Sequence, residues 1–304
     1  MIRKILATLD GGKISESILA HVEPLRKAFD ADLTLATVIP EHSSTLTGPA
    51  LSYLESRAKP LREGGWRVDA AVLTGKPADA IATFAADEGY GLLALCSRGS
   101  SGLRRLLLGS VAEEILRQAS VPVFVAHPPA DGAEPFTKFR AIVVYQDGTH
   151  RAMSVLPCVV EMARAHGAKL TFVTVVPPTR TDGLPADTIC HNLYRERDRL
   201  KAEGLDVDVV VLYGDPAAEL LSFVAKSGAD LIATATHGRT GMDRLRHGSV
   251  TEEIFRGGAT RMLVFRAPAV VRDHPVHGVA IEARRRALAV LASAGEQDKG
   301  PYSG

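Results

Sequence analysis

Two stretches of this 304-residue chain are one stretch written twice. The first is Gly99-Ser-Ser-Gly102-Leu-Arg-Arg-Leu-Leu-Leu-Gly109-Ser110-Val111-Ala-Glu-Glu-Ile-Leu-Arg117. The second is Gly238-Arg-Thr-Gly241-Met-Asp-Arg-Leu-Arg-His-Gly248-Ser249-Val250-Thr-Glu-Glu-Ile-Phe-Arg256. Aligned without a gap, they share 11 of 19 residues. Each follows an apolar run and opens into a helix-like pattern. Self-similarity at so long a period means a duplicated domain, not a solenoid of short units. Whatever the first half folds into, the second half must fold into as well.

The residues around the first copy alternate between two periodicities. Continuous apolar runs predict strands at Ile5–Leu9, Leu33–Ile39, Val68–Leu73, Leu92–Cys96 and Val121–Val125. Amphipathic spacing predicts helices over Ser15–Phe29, Leu51–Leu61, Ala78–Ala86 and Ser110–Gln118. Strands that are apolar on both faces and alternate with helices call for a parallel sheet covered on both sides. The second half repeats the order, with strands at Ala141–Tyr145, Leu170–Val176, Val209–Leu212, Leu231–Ala235 and Met262–Phe265. Equivalent positions differ by 137 from Asp10 to Asp147 and by 139 from Gly75 to Gly214, so two residues are inserted in a loop between them. The expected organisation is a first domain over 1–130, a linker over 131–137, a second domain over 138–268 and a tail over 269–304. Within the tail, Ile281–Leu291 reads as a short helix carrying Arg284-Arg-Arg286, a run best read as a solvated face. Gly295–Gly304 has the composition of a disordered end.

Composition narrows the function. A net charge of +1 gives no electrostatic reason for a nucleic-acid or membrane partner. No apolar run reaches the roughly 18 residues a membrane helix needs. Cys96, Cys158 and Cys190 are odd in number, widely spaced and without a Cys-x-x-Cys pair, which favours a reducing cytoplasm over a disulfide framework or structural zinc. There is no complete Gly-x4-Gly-Lys-Ser/Thr phosphate loop and no nucleophile–base pair, so no catalytic residue is assigned.

The chemistry concentrates where strands give way to glycines. In an open parallel sheet, ligands bind beyond the carboxyl ends of the strands, where the strand order reverses. If the first and fourth strands are neighbours, Asp10, Gly99, Gly109 and Ser110 converge on one crevice. Gly99 and Gly109 let the backbone approach an anion without an intervening Cβ. Ser110 stands at a helix start, where N–H groups and a hydroxyl can hold phosphate oxygens. Asp10 can accept from a ribose hydroxyl or, as a second choice, help hold a divalent metal. A plainer reading competes: Ser110-x-x-Glu113 and Ser249-x-x-Glu252 both fit the capping box, in which serine and glutamate satisfy helix N–H groups reciprocally.

At these residues the chain resembles the universal stress protein family. Its nucleotide-binding members carry Gly-x2-Gly-x9-Gly-Ser between the fourth strand and fourth helix. Gly99-x9-Gly109-Ser110 and Gly238-x9-Gly248-Ser249 match the last three fixed positions. Asp10 and Asp147 match the aspartate after the first strand, and Val38 and Val175 the second-strand valine whose backbone meets adenine in the family. The resemblance extends the site set to Val111, Ala235 and Val250. It implies two adenine nucleotide alpha hydrolase-like units, each a doubly wound five-stranded parallel sheet. It also implies ATP or a related adenine nucleotide, with or without Mg, bound with little or no turnover in a cytoplasmic stress response. Pairing of the two halves through their last strands within one chain is implied too, and a homodimer stays open. Two alternatives remain: a paired scaffold that binds no nucleotide, and a slow ATPase in which Asp10 or Asp147 positions metal and water. The motif's first glycine is replaced by Cys96 in one half and Ala235 in the other. A single methyl crowds the nucleotide less than a thiol, so the second site is expected to be the better one. Arg261 stands where the first half has Pro122, a change expected to affect the start of the strand more than the crevice.

Overall fold

The computed structural model describes residues 2–97, 109–129, 134–147, 150–177, 186–236, 250–257 and 260–266. The first half runs β1 (Lys4–Thr8), α1 (Lys13–Glu16), α2 (Leu19–Phe29), β2 (Asp32–Ile39), α3 (Thr47–Glu63), β3 (Val68–Thr74), α4 (Pro77–Asp87), β4 (Leu92–Cys96), α5 (Ser110–Gln118) and β5 (Val123–Ala126). The second runs β6 (Ala141–Tyr145), α6 (Leu156–His166), β7 (Lys169–Val176), α7 (Ala186–Ala202), β8 (Val207–Tyr213), α8 (Pro216–Ser227), β9 (Leu231–Thr236), α9 (Val250–Gly257) and β10 (Arg261–Arg266). The strand order is β3-β2-β1-β4-β5-β10-β9-β6-β7-β8 in one continuous sheet.

Within each half every pairing is parallel, and each half is a doubly wound α/β unit. The halves meet where β10 runs antiparallel to β5, with Leu263 opposite Phe124. The carboxyl ends of the two sets of strands therefore point in opposite directions. Alternate strand residues face alternate layers. Ile5, Leu33, Leu92, Ile142, Leu170 and Leu231 pack with α2, α3, α6 and α7 on one face. Leu6, Ala36, Leu93, Val143, Val173 and Ile232 pack with α4, α5, α8 and α9 on the other. Each layer runs unbroken across the β5–β10 junction. The segment before β6 contributes as well, because Phe139 is fully buried and stacks edge-on with Phe124, Phe136 and His166.

The turns obey the repeat. Gly75 and Gly214 occupy equivalent places after β3 and β8 with φ of +120° and +138°, a region open to glycine. Each is followed within two residues by a proline that starts a helix. One expectation needs correction. The amphipathic stretch Ser15–Phe29 is not one helix: after α1 the backbone tightens, with Ile18 bonding to Ser15 and Ala20 to Ser17, before α2 begins. Apolar periodicity fixes which face is buried and does not register this i→i+3 tightening. The tail expectations lie outside the described residues.

Candidate functional site

The condition set by the sequence holds in both halves. β1 lies between β2 and β4, with Ile5 paired to Leu33 on one side and Leu92 on the other. β6 lies likewise between β7 and β9, with Ile142 paired to Leu170 and Leu231. The chain winds outward from β1 in one direction and from β4 in the other, so the β1/β4 and β6/β9 boundaries are topological switch points. Asp10 leaves β1 and Gly109–Ser110 opens α5 at the same end of the first half. Asp147 leaves β6, Ala235 lies near the end of β9 and Val250 opens α9 in the second. Because β5 and β10 are antiparallel, the two crevices sit at opposite edges of the sheet.

Asp10 is held in a defined geometry. Its Oδ1 accepts from the Gly12 N–H at 2.9 Å and from the Ser15 hydroxyl at 2.5 Å, while its own N–H donates to Ser15 Oγ at 3.0 Å. A Cβ on Gly12 would come within 3.0 Å of that carboxylate oxygen, so the glycine lets the turn close. Ser15 went unrecognised in the sequence, although an Asp-Gly-Gly followed by a serine is the signal such a turn leaves.

The start of α5 bears on the capping reading of Ser110. Gly109, with φ of −65° and ψ of 150°, is the N-cap, and the Glu113 N–H donates to its carbonyl at 2.9 Å. Ser110 is therefore the first helical residue, one position too late to cap. The serine–glutamate pair does not form a capping box in this half. An α-helix leaves its first N–H groups without intrahelical acceptors, and Ser110 and Val111 are both exposed there. Glu113 lies in the first turn and Arg117 in the last, a distribution matched to the helix dipole.

Val38 is half-buried and pairs with Leu73, and Val175 is buried and pairs with Leu212. Cys96 turns its thiol to 3.0 Å from Ser17 Oγ, on the face covered by α1 and α2 rather than the face covered by α5. Burial pushes that thiol up to about 11, well above the range of a reactive thiolate. Cys158 is likewise pushed up by burial, to about 12. Ala235 is buried and pairs with Phe265 of β10. Gly99, Gly238, Gly248 and Ser249 lie outside the described residues. No helix among the described residues is long and apolar enough to cross a membrane.

Arg261 does more than replace a proline. Its guanidinium stacks over Phe136 at 3.5 Å, and its Nε–H donates to His21 Nδ1 at 3.0 Å. His21 Nε2 in turn donates to the His127 carbonyl at 3.1 Å, and His127 Nδ1 lies 2.7 Å from Ser97 Oγ. This cluster straddles the junction between the halves.

Fold and switch-point geometry together define a class: a fused pair of open parallel α/β units, each with a helix start and an aspartate at its strand-order reversal. The model of the universal stress protein family matches residues 1–127 and 138–266, and the chain belongs to that family. A universal stress protein of Methanocaldococcus jannaschii is 29% identical over 143 residues, covering 42% of this chain and 84% of the relative. One from Mycobacterium tuberculosis is 27% identical over 185 residues, covering 58% of this chain and 61% of the relative. The crystal structure of a universal stress protein from Archaeoglobus fulgidus shares the fold at 21% identity, with a TM-score of 0.69 over 86% of this chain and 98% of its own.

Proposed function

We propose that this protein binds an adenine nucleotide, ATP or a close relative, at the switch-point crevices, and acts as a cytoplasmic stress-response regulator with little or no turnover. The observation that carries this reading is the start of α5. With Gly109 rather than Ser110 as the cap, the hydroxyl and first N–H groups of the helix are presented at the strand-order reversal. Asp10, braced by Gly12 and Ser15, is the acceptor for a ribose hydroxyl. The units span 1–130 and 138–268, and the family pattern adds Gly99, Gly238, Gly248 and Ser249 to the nucleotide-binding set. Mg²⁺, where it takes part, accompanies the nucleotide phosphates in this reading. The second half is the stronger site, since Ala235 adds one methyl where the family pattern has glycine.

A scaffold without nucleotide is the second reading, and it rests on the replacement of the family's first motif glycine by Cys96 and Ala235. The two readings separate on one experiment: denature the purified protein and analyse the released small molecules by mass spectrometry. Release of an adenine nucleotide in up to two equivalents per chain supports the binding reading. An empty protein that also ignores added ATP supports the scaffold. Cys96→Gly restores the family's glycine and is expected to leave ATP affinity unchanged or raise it.

A further inference from the structure

The duplication places each half beside a natural variant of itself, and one difference lies at the amino ends of the strands, away from the crevices. In the first half Tyr90 is buried at 7% exposure, its ring 5.5 Å from Phe84 and 5.6 Å from Lys4 Nζ. Its hydroxyl donates to Thr34 Oγ1 at 2.9 Å. The offsets of 137 and 139 carry Lys4, Thr34, Phe84 and Tyr90 onto Ala141, Thr171, Phe223 and Ala229. The strand register agrees, since Lys4 pairs with Asp32 and Ala141 with Lys169.

The second half keeps the aromatic wall and the hydroxyl and lacks the tyrosine. Ala141, Thr171, Phe223 and Ala229 all line one cavity of about 300 Å³. Its surroundings have not closed over the missing ring: Phe84 is 6% exposed and Thr34 is 7% exposed, whereas Phe223 and Thr171 are only half-buried. The pocket opens to solvent, with Ala141, Val143, Val210, Phe223 and Ala229 as its apolar wall and Thr171 and Ser227 as its hydroxyls. Lys169 and Asp208, paired at 2.6 Å, stand at the rim.

We propose that this cavity is a binding site for a small monocyclic phenol. Its ring lies on Phe223 as the Tyr90 ring lies on Phe84, and its hydroxyl bonds to Thr171 as Tyr90 bonds to Thr34. The apolar floor selects an aromatic ring, and the threonine selects one that carries a hydroxyl, because a buried hydroxyl without a partner is penalised. The site is separate from the nucleotide crevice, at the opposite end of β6, β7 and β8.

The probe is 4-methylphenol, the side chain of tyrosine in free form, titrated into the full-length protein and followed by NMR and calorimetry. One equivalent is expected to bind, shifting the resonances of Ala229 and Thr171, with toluene bound about tenfold more weakly. Ala229→Tyr supplies the ring covalently and should abolish binding while leaving ATP binding untouched. Tyr90→Ala should open the matching cavity in the first half and raise the stoichiometry to two. That second variant keeps the test decisive if Ala229→Tyr does not fold. Absence of saturable 4-methylphenol binding to the native protein overturns the proposal, as does binding that survives Ala229→Tyr. Equal affinity for toluene and 4-methylphenol removes the assignment to phenols.

Discussion

The Nε–H of Arg261 donates to Nδ1 of His21 across 3.0 Å, tying the first residue of β10 to α2 of the other half. Nδ1 accepts and Nε2 donates to the His127 carbonyl, so His21 holds one proton, on Nε2. A second proton would face a guanidinium. Burial first and Arg261 second push both His21 and His127 down to about 4 from their ordinary 6.5. Two imidazoles that are neutral when folded and free to charge when unfolded form a titratable seam between the halves.

Stability should therefore depend on acid in a defined direction. The unfolded chain binds more protons than the folded one between pH 6.5 and about 4, so this contribution is complete above pH 6.5 and is lost as pH falls toward 4. By pH 5 each ring should cost on the order of 2 kcal/mol. Urea unfolding at pH 7.5 and pH 5 checks this, with His21→Gln flattening part of the dependence. Equal midpoints at the two pH values would contradict it.

Asp30 closes α2 in the left-handed conformation, at φ 46° and ψ 47°, where its counterpart Gly167 closes α6 at φ 64° and ψ 34°. The aspartate carries a Cβ into a region glycine occupies without strain. Its carboxylate lies 3.8 Å from Arg67 in an exposed pair of little consequence. Asp30→Gly should raise stability by about 0.5–1 kcal/mol, visible as a higher Tm in calorimetric unfolding. A fall in Tm would mean that the Arg67 contact outweighs the backbone strain.

Ser15 is a positioning residue for Asp10, since it both accepts from the Asp10 N–H and donates to Oδ1. Ser15→Ala should leave Tm nearly unchanged, because the hydrogen bonds it loses lie at the solvent-facing turn, and should weaken ATP binding about threefold to tenfold. Ser15→Thr keeps the hydroxyl and should restore affinity. An unchanged affinity in Ser15→Ala would show that the Asp10 carboxylate does not touch the nucleotide.

How much of this was legible beforehand depended on the kind of signal. β4 and α5 fall at Leu92–Cys96 and Ser110–Gln118, where the sequence placed them, because apolar runs bounded by glycine mark both period and limits. The adjacency of β1 and β4 entered only as a condition, because the order of strands along the chain does not by itself fix their order in the sheet. The capping-box alternative placed the cap of α5 one residue too late. Ser-x-x-Glu is a local pattern, and the ψ of 150° at Gly109 that decides the matter is a backbone property no side chain announces. Arg261 was read as a lost proline. Its partners His21 and Phe136 lie far away in sequence and come into reach only through the β5–β10 junction. Tyr90 and Ala229 were invisible for a related reason: a cavity is defined by what a neighbouring strand fails to fill.

The central claim is nucleotide binding at the repeated helix start, and calorimetric titration of ATP into the native protein beside Gly248→Val tests it most directly. Saturable binding to the native protein, abolished at one site by a valine where the second crevice needs bare backbone, is the predicted result. No heat of binding with either protein, under conditions where both are folded by circular dichroism, would contradict the account.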